Sequence, residues 1–202
     1  MMERLLYIVI GYAFGCIQNA IIIGKIIKKI DVRKHGSGNA GATNVVRVVG
    51  RRAGVAVLVL DMLKAVAAFL LTAFIFGDGE IFGSLIGLYA GLGAVLGHVF
   101  PFFMRFKGGK GMACSVGIML VLDWRAALIV FAIGILIVFV SRYVSLASIL
   151  VSSLYLIALL FFGIEPEGAG VYAFIAAIVI FMHRQNIIRL LKGVENKFGL
   201  KA

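Results

Sequence analysis

Residues 53–76, AGVAVLVLDMLKAVAAFLLTAFIF, decide the fold. A helix needs about 20 apolar residues, at about 1.5 Å each, to cross a hydrocarbon core of about 30 Å, and this run is long enough. Only Asp61 and Lys64 interrupt it. They lie one helical turn apart on one face, where each is the natural partner of the other. Runs of the same kind recur along the chain, and the candidate spans are 5–27, 53–76, 81–100, 112–122, 126–141, 144–162 and 169–183. The 202 residues are 62% hydrophobic and 14% charged, with a mean hydropathy of +1.10; a soluble domain is nearer half apolar and a quarter charged. These features predict a single all-α integral membrane domain over residues 1–202, with seven transmembrane helices.

The net charge of +11 sits at the ends of the apolar runs. The 25–52 joint carries Lys25, Lys28, Lys29, Arg33, Lys34, Arg47, Arg51 and Arg52 against Asp31 alone, and the 101–111 joint carries Arg105, Lys107 and Lys110. Arg184, Arg189, Lys192, Lys197 and Lys201 follow the last run, with Glu195, while the joints holding Asp78, Glu80, Glu165 and Glu167 are acidic. Basic joints face the cytoplasm, so the N-terminus lies outside and the C-terminus inside. That distribution argues against a nucleic-acid partner, which would ask for basic patches interleaved with aromatics. The 112–122 run is short; joining it to 126–141 would bury Asp123, Trp124 and Arg125 in mid-membrane, so two short or tilted spans are expected instead. The first run ends at Lys25 with no small-residue cleavage site and reads as a retained span. Cys16 and Cys114 lie in apolar surroundings without partners for a metal or a disulfide. Gly83, Gly87 and Gly91 recur every fourth residue, as a ridge that packs helices closely.

Three polar segments stand out. GSGNAGATNVVR at 36–47 formally contains G-x-G-x-x-G, but no strand precedes it and Asp61 lies inside a span, so a dinucleotide fold is excluded. Its glycines allow consecutive N–H groups to line a concave anion site. Ser37, Asn39, Thr43 and Asn44 add donors, Thr43 or Asn44 can cap a short helix through Val45–Val49, and Arg47 suits phosphate oxygens. The alternative is a flexible cytoplasmic loop. GHVFPFFMRFKGGKG at 97–111 repeats the logic, with Lys107 and Lys110 among Gly108, Gly109 and Gly111 ahead of a helix; it is no Walker A loop. The alternative is a plain boundary turn, with His98 a buried, hydrogen-bonded histidine and Pro101 the end of a span. In HRQNIIRLLKGVENK at 183–197, His183, Asn186 and Arg189 share a helix face opposite Ile187, Leu190 and Leu191, which fits either an amphipathic surface helix or a hydroxyl-orienting pair. Arg142, after Ser141, is a fourth anion contact or a flanking anchor. All four features fall on one predicted side. They suggest one cytoplasm-facing anion site with few carboxylates, no metal cluster and no nucleophile–base signature.

These three segments resemble the three cytoplasmic motifs of bacterial acyl-phosphate:glycerol-3-phosphate acyltransferases, the PlsY family, in order and over the whole chain; LDMLKA at 60–65 also looks like a family segment. Met112 and Cys114 depart from the pattern, where Val and Thr are expected. The resemblance implies transfer of a fatty acyl group from acyl phosphate to the 1-hydroxyl of glycerol 3-phosphate, in the inner membrane of a bacterium. Membrane lipids surround the chain, and no coenzyme A, carrier protein, cofactor or metal is required. It further implies a monomer in which Gly36, Ser37, Gly38, Asn39, Gly41, Thr43, Asn44, Lys107, Gly108, Gly109 and Lys110 hold the acyl phosphate. Arg47, Lys110, Ser141, Arg142, His183 and Asn186 position glycerol 3-phosphate. Ser37, Arg47, Lys107, His183 and Asn186 carry the catalysis, and Glu195 is structural. A transporter or channel for phosphorylated anions is the alternative, for which inverted repeats and broken mid-membrane helices would speak.

Overall fold

A computed structural model describes residues 2–77, 79 and 81–199, and every described element is helical. Asp78 and Glu80 of one acidic joint, and Lys201 of the basic tail, lie outside the described residues. The chain divides into two compact units, Met1–Leu122 and Asp123–Ala202.

The first unit contains α1 (Met2–Gly15), α2 (Asn19–Lys28), a 3-10 turn (Val32–Lys34), α3 (Ala42–Val48), α4 (Arg51–Phe76), α5 (Leu85–Val99), a second 3-10 turn (Phe102–Met104) and α6 (Met112–Leu122). The expected 5–27 span is found as one helical stretch, Met2–Lys28, with a short break in the helix between α1 and α2. Gln18 is the reason: buried at the break, its amide donates to the carbonyls of Gly15, Gly97 and His98 at 3.4, 3.4 and 3.2 Å. A buried carbonyl released by a helix break must find a donor, and here a side chain within the chain supplies it.

Close approach between α1 and α5 organises this unit. A Cβ at Gly11 or Gly15 would strike the backbone of Ala90 or Ala94, and one at Gly93 or Gly97 would strike the backbone at Ile8 or Tyr12. Two small-xxx-small pairs therefore face each other, which is how helices gain contact when lipid offers no hydrophobic drive. The ridge expected at Gly83, Gly87 and Gly91 is not one surface. Gly83 precedes α5 with φ +75°, Gly87 faces the ring of Phe69 on α4, and Gly91 faces Ile118 on α6. Ser84 caps α5, accepting from the N–H of Gly87 at 3.2 Å. At the far end Tyr12 donates its hydroxyl proton to the carbonyl of Phe100 at 2.6 Å, and Pro101 follows the end of the helix.

The second unit contains α7 (Trp124–Ser141), α8 (Val144–Phe161), α9 (Pro166–Met182) and α10 (Arg184–Leu191). Asp123 starts α7 as an N-cap, accepting from the amides of Arg125 and Ala126 at 2.9 and 3.2 Å. The carboxylate also pairs with the Arg125 guanidinium at 2.8 Å, which holds the Asp123 carboxyl below its ordinary value. α8 packs between α7 and α9, with the Tyr155 and Tyr172 rings 4.8 Å apart and tilted by 59° in the core. α9 and α10 meet at a 56° bend at His183.

Five helical stretches among the described residues are long and apolar enough to cross a membrane, or six if the bent α9–α10 pair is one span. α6, at 11 residues, is an apolar helix below that length.

Candidate active site

The first polar segment is an ordered, packed turn rather than a flexible loop. Val32, Ala40 and Val45 are fully buried against Ala20, Ile21 and Val57. Asp31 begins the turn by accepting from the amide of Arg33 at 3.0 Å and from its guanidinium at 2.8 Å. That hydrogen bond holds the Asp31 carboxyl below its ordinary value of 3.8. Gly36 and Gly38 take the left-handed region, with φ of +61° and +72°. Glycine is the residue that adopts it without strain, and a Cβ at Gly36 would also collide with Asn44 Oδ1.

Asn44 holds the turn together. Its Oδ1 accepts from the amide of Ser37 at 2.8 Å, and its Nδ2 donates to the carbonyls of Val32 and His35 at 2.9 and 3.1 Å. The sequence placed Asn44 among the phosphate donors or as a helix cap. The residue before α3 is Gly41, with no side-chain cap, and the Asn44 amide is spent inside the protein with the residue 1% exposed. Three backbone partners seven to twelve residues away in sequence outcompete a local cap. Ser37 and Arg47 are exposed at the surface of this turn, and Asn39, Gly41 and Thr43 are half-buried. Thr43 lies in the first turn of α3, where amides lack an intrahelical acceptor.

The second polar segment folds back on the end of α5. Gly108 and Gly109 were counted from sequence as backbone donors for an anion. Their amides instead donate to the carbonyls of Val99 and His98, each at 3.0 Å. What these glycines supply is closeness: a Cβ at Gly109 would collide with His98 Nε2 and lie 2.7 Å from the carbonyl oxygen of Ala40, and one at Gly108 would collide with the His98 carbonyl. The contact between Gly109 and Ala40 sets the second glycine–lysine segment beside the first. Lys107 is exposed and Lys110 half-buried. α6 follows Gly111, whose carbonyl accepts from the amide of Ser115 at 2.9 Å.

Behind these turns lies a cluster that sequence reasoning saw only in part. Asp61 and Lys64 do pair, at 2.9 Å, and both are buried. Asn19 donates to the same Asp61 oxygen at 2.9 Å, and Lys64 donates to His98 Nδ1 at 3.0 Å and to the carbonyl of Ile17. Spacing marks the Asp61–Lys64 pair, and His98 is buried and hydrogen-bonded as expected; for Asn19 the signal in the sequence was the polar Gln18-Asn19 step inside an apolar run.

In the second unit, Ser141 donates to the carbonyl of Ile137 at 2.6 Å and accepts from the amide of Tyr143 at 3.1 Å. Arg142 ends α7 in the left-handed conformation, with its side chain exposed and its carbonyl accepting from the amide of Phe198 at 2.7 Å. His183 is buried at the α9–α10 bend, its Nδ1 2.8 Å from the carbonyl of Val179. A carbonyl only accepts, so Nδ1 carries the proton, and Nε2 is an acceptor whenever the ring is neutral. Glu195 is buried and accepts from Asn186 at 2.9 Å and from Arg189 at 2.8 Å, which ties the tail segment to α10. Among the described residues, no three His, Cys, Asp or Glu side chains come together to hold a metal.

Comparison with known proteins matches residues 5–193 to the glycerol-3-phosphate acyltransferase family, a match that runs through both units. A glycerol-3-phosphate acyltransferase of Thermoanaerobacter pseudethanolicus is 42% identical over 201 residues, covering 100% of this chain and 98% of the relative. One of Fusobacterium nucleatum is 42% identical over 193 residues, covering 95% and 96%. Two crystal structures of PlsY, an integral membrane glycerol 3-phosphate acyltransferase, are also similar. The glycerol 3-phosphate form has a TM-score of 0.89 at 38% identity, covering 97% of this chain and 96% of that one. The lysophosphatidic acid form has a TM-score of 0.86 at 38% identity, covering 97% and 95%. The chain belongs to the glycerol-3-phosphate acyltransferase family.

Proposed function

We propose that this protein transfers a fatty acyl group from acyl phosphate to the 1-hydroxyl of sn-glycerol 3-phosphate, giving lysophosphatidic acid and inorganic phosphate, the first acylation of phospholipid synthesis. The observation that carries the reading is the full-length likeness to PlsY in a form with glycerol 3-phosphate and one with lysophosphatidic acid, the acceptor and the product of this transfer. The local geometry agrees with it: the Gly109–Ala40 contact sets two glycine turns bearing Ser37, Arg47, Lys107 and Lys110 side by side.

In this reading the hydroxyl oxygen attacks the acyl carbon, an ester bond forms, the C–O bond of the mixed anhydride breaks, and phosphate leaves with the electron pair. Ser37, with Asn39 and the first-turn amides of α3 near Thr43, binds the acyl phosphate and stabilises the developing oxyanion. Gly36, Gly38 and Gly41 shape that turn, and Asn44 positions it. Lys107 and Lys110 neutralise the leaving phosphate, carried there by Gly108 and Gly109. Arg47 and Arg142 bind glycerol 3-phosphate through its phosphate, with His183 and Asn186 orienting the hydroxyl. Ser141 fixes the start of the turn that presents Arg142, and Glu195 anchors Asn186. The hydroxyl proton passes to His183 Nε2 or to a substrate phosphate, and the pH profile of His183→Gln separates the two. Acyl phosphate is already activated, so no cofactor, coenzyme A or carrier protein takes part.

The proposed topology has seven spans: the five long ones, α9 as the sixth, and α6 as the seventh. At about 16 Å from about 1.5 Å per residue, α6 crosses only with local thinning of the bilayer. Basic joints place the N-terminus outside and the C-terminus in the cytoplasm of a bacterium, with the protein a monomer in the inner membrane. The test supplies purified protein with acyl phosphate and labelled glycerol 3-phosphate. Labelled lysophosphatidic acid is expected, and it should vanish in Ser37→Ala and Arg47→Ala while both variants stay folded. Absence of product from the native chain, with label crossing sealed liposomes instead, overturns the reading in favour of transport.

A further inference from the structure

Charged side chains inside a membrane domain are expensive, and a buried ion pair is commonly replaceable by well-packed apolar residues without loss of stability. The Asp61–Lys64 pair, 1% and 6% exposed, therefore invites a purpose other than holding helices together. A Lys ammonium has three N–H donors and no acceptor. Lys64 places all three, on the Asp61 carboxylate, His98 Nδ1 and the carbonyl of Ile17. Asn19 donates to the same carboxylate oxygen and orients it. Because Lys64 can only donate, His98 Nδ1 must accept, so the ring is neutral with its proton on Nε2. That nitrogen faces Gly109, which lies too close to His98 Nε2 to carry a Cβ. The carbonyl of the same histidine accepts from the Gly109 amide at 3.0 Å. His98 thus meets Gly109 through both its ring and its backbone, and the Ala40 carbonyl of the first turn lies against the same face of Gly109.

We propose that Asn19, Asp61 and Lys64 form a buried mount that fixes the orientation of His98, and that His98 seats the Gly108–Lys110 segment against the Ala40 turn. All four are positioning residues: they touch no substrate and act through the placement of Lys107 and Lys110. The inference rests on the reading of that segment as the acyl-phosphate site.

The double variant Asp61→Leu/Lys64→Met removes both charges at once, so no lone charge is left buried. It should fold and melt in detergent no lower than the native protein. A small misplacement of a binding segment costs on the order of tenfold to a hundredfold in rate, and we expect a rise of that size in KM for acyl phosphate, with a smaller rise in KM for glycerol 3-phosphate, which meets the segment through Lys110 alone. His98→Asn keeps an acceptor near Lys64 and removes the ring from Gly109, and it should show the same split. Hydrogen exchange over 105–111 should quicken in both variants while α4 and α5 remain protected. Native KM for acyl phosphate in either folded variant overturns the proposal. Failure of both to fold also overturns it, because a mount for the segment is dispensable to folding. If the native protein itself makes no lysophosphatidic acid, the enzymatic reading fails; native activity with unchanged variants sinks the mount alone.

Discussion

Replacing Asn44 by Ala tests the organisation of the first turn most directly. The side chain makes three hydrogen bonds in a site 1% exposed, to the Ser37 amide and to the Val32 and His35 carbonyls. At about 1 kcal/mol of net stabilisation for each, their loss amounts to about 3 kcal/mol. The neighbouring small core of Val32, Ala40 and Val45 remains, so the loss falls on the turn rather than on the helices. With about 1.4 kcal/mol for each factor of ten, amide exchange over 35–41 should accelerate about a hundredfold in the substrate-free protein. Turnover should fall by a similar factor, because Ser37 is no longer held. Asn44→Asp keeps the acceptor for Ser37 but sets a carboxylate against two carbonyls, so it should be no better than Ala. Exchange mass spectrometry without substrate discriminates between roles. If Asn44 bound substrate directly, activity would drop while the substrate-free exchange stayed native, and that result would refute the reasoning.

Two further predictions concern packing and pH. Gly97→Ala drives a Cβ into the Tyr12 backbone and should lower stability by about 1–3 kcal/mol, seen as a lower melting temperature in detergent; Gly170→Ala, with open space around it, should change little. Asp31, whose folded carboxyl titrates below its ordinary value of 3.8, contributes stability to its turn that is present above that value and lost as pH falls through the lower folded value. Protection over 31–35, as observed exchange relative to the intrinsic rate at each pH, should therefore fall as pH drops below about 4 in the native chain, and Asp31→Asn should abolish that acid sensitivity; a native acid response in the variant would contradict it.

Helix identity was legible in the sequence because lipid imposes it: a backbone in hydrocarbon must satisfy its own hydrogen bonds, so length and apolarity suffice to mark α4, α7 and α8. The three polar segments stand out for a related reason, since they interrupt runs that are otherwise apolar. The Asp61–Lys64 pair followed from helical spacing alone. Tertiary structure decided what spacing cannot carry. Gly93 and Gly97, rather than the regular Gly83–Gly87–Gly91 series, became the close interface because the α1 backbone at Ile8 and Tyr12 lies against them, while Gly11 and Gly15 of α1 meet Ala90 and Ala94. Gln18 is accommodated where the helix pauses in the first span because carbonyls of α5 lie within its reach. Asn44, Gly108 and Gly109 look like ligand donors in one dimension. They turn inward because a hydrogen bond is satisfied by whichever partner the fold brings near, and the nearest partners were backbone atoms distant in sequence.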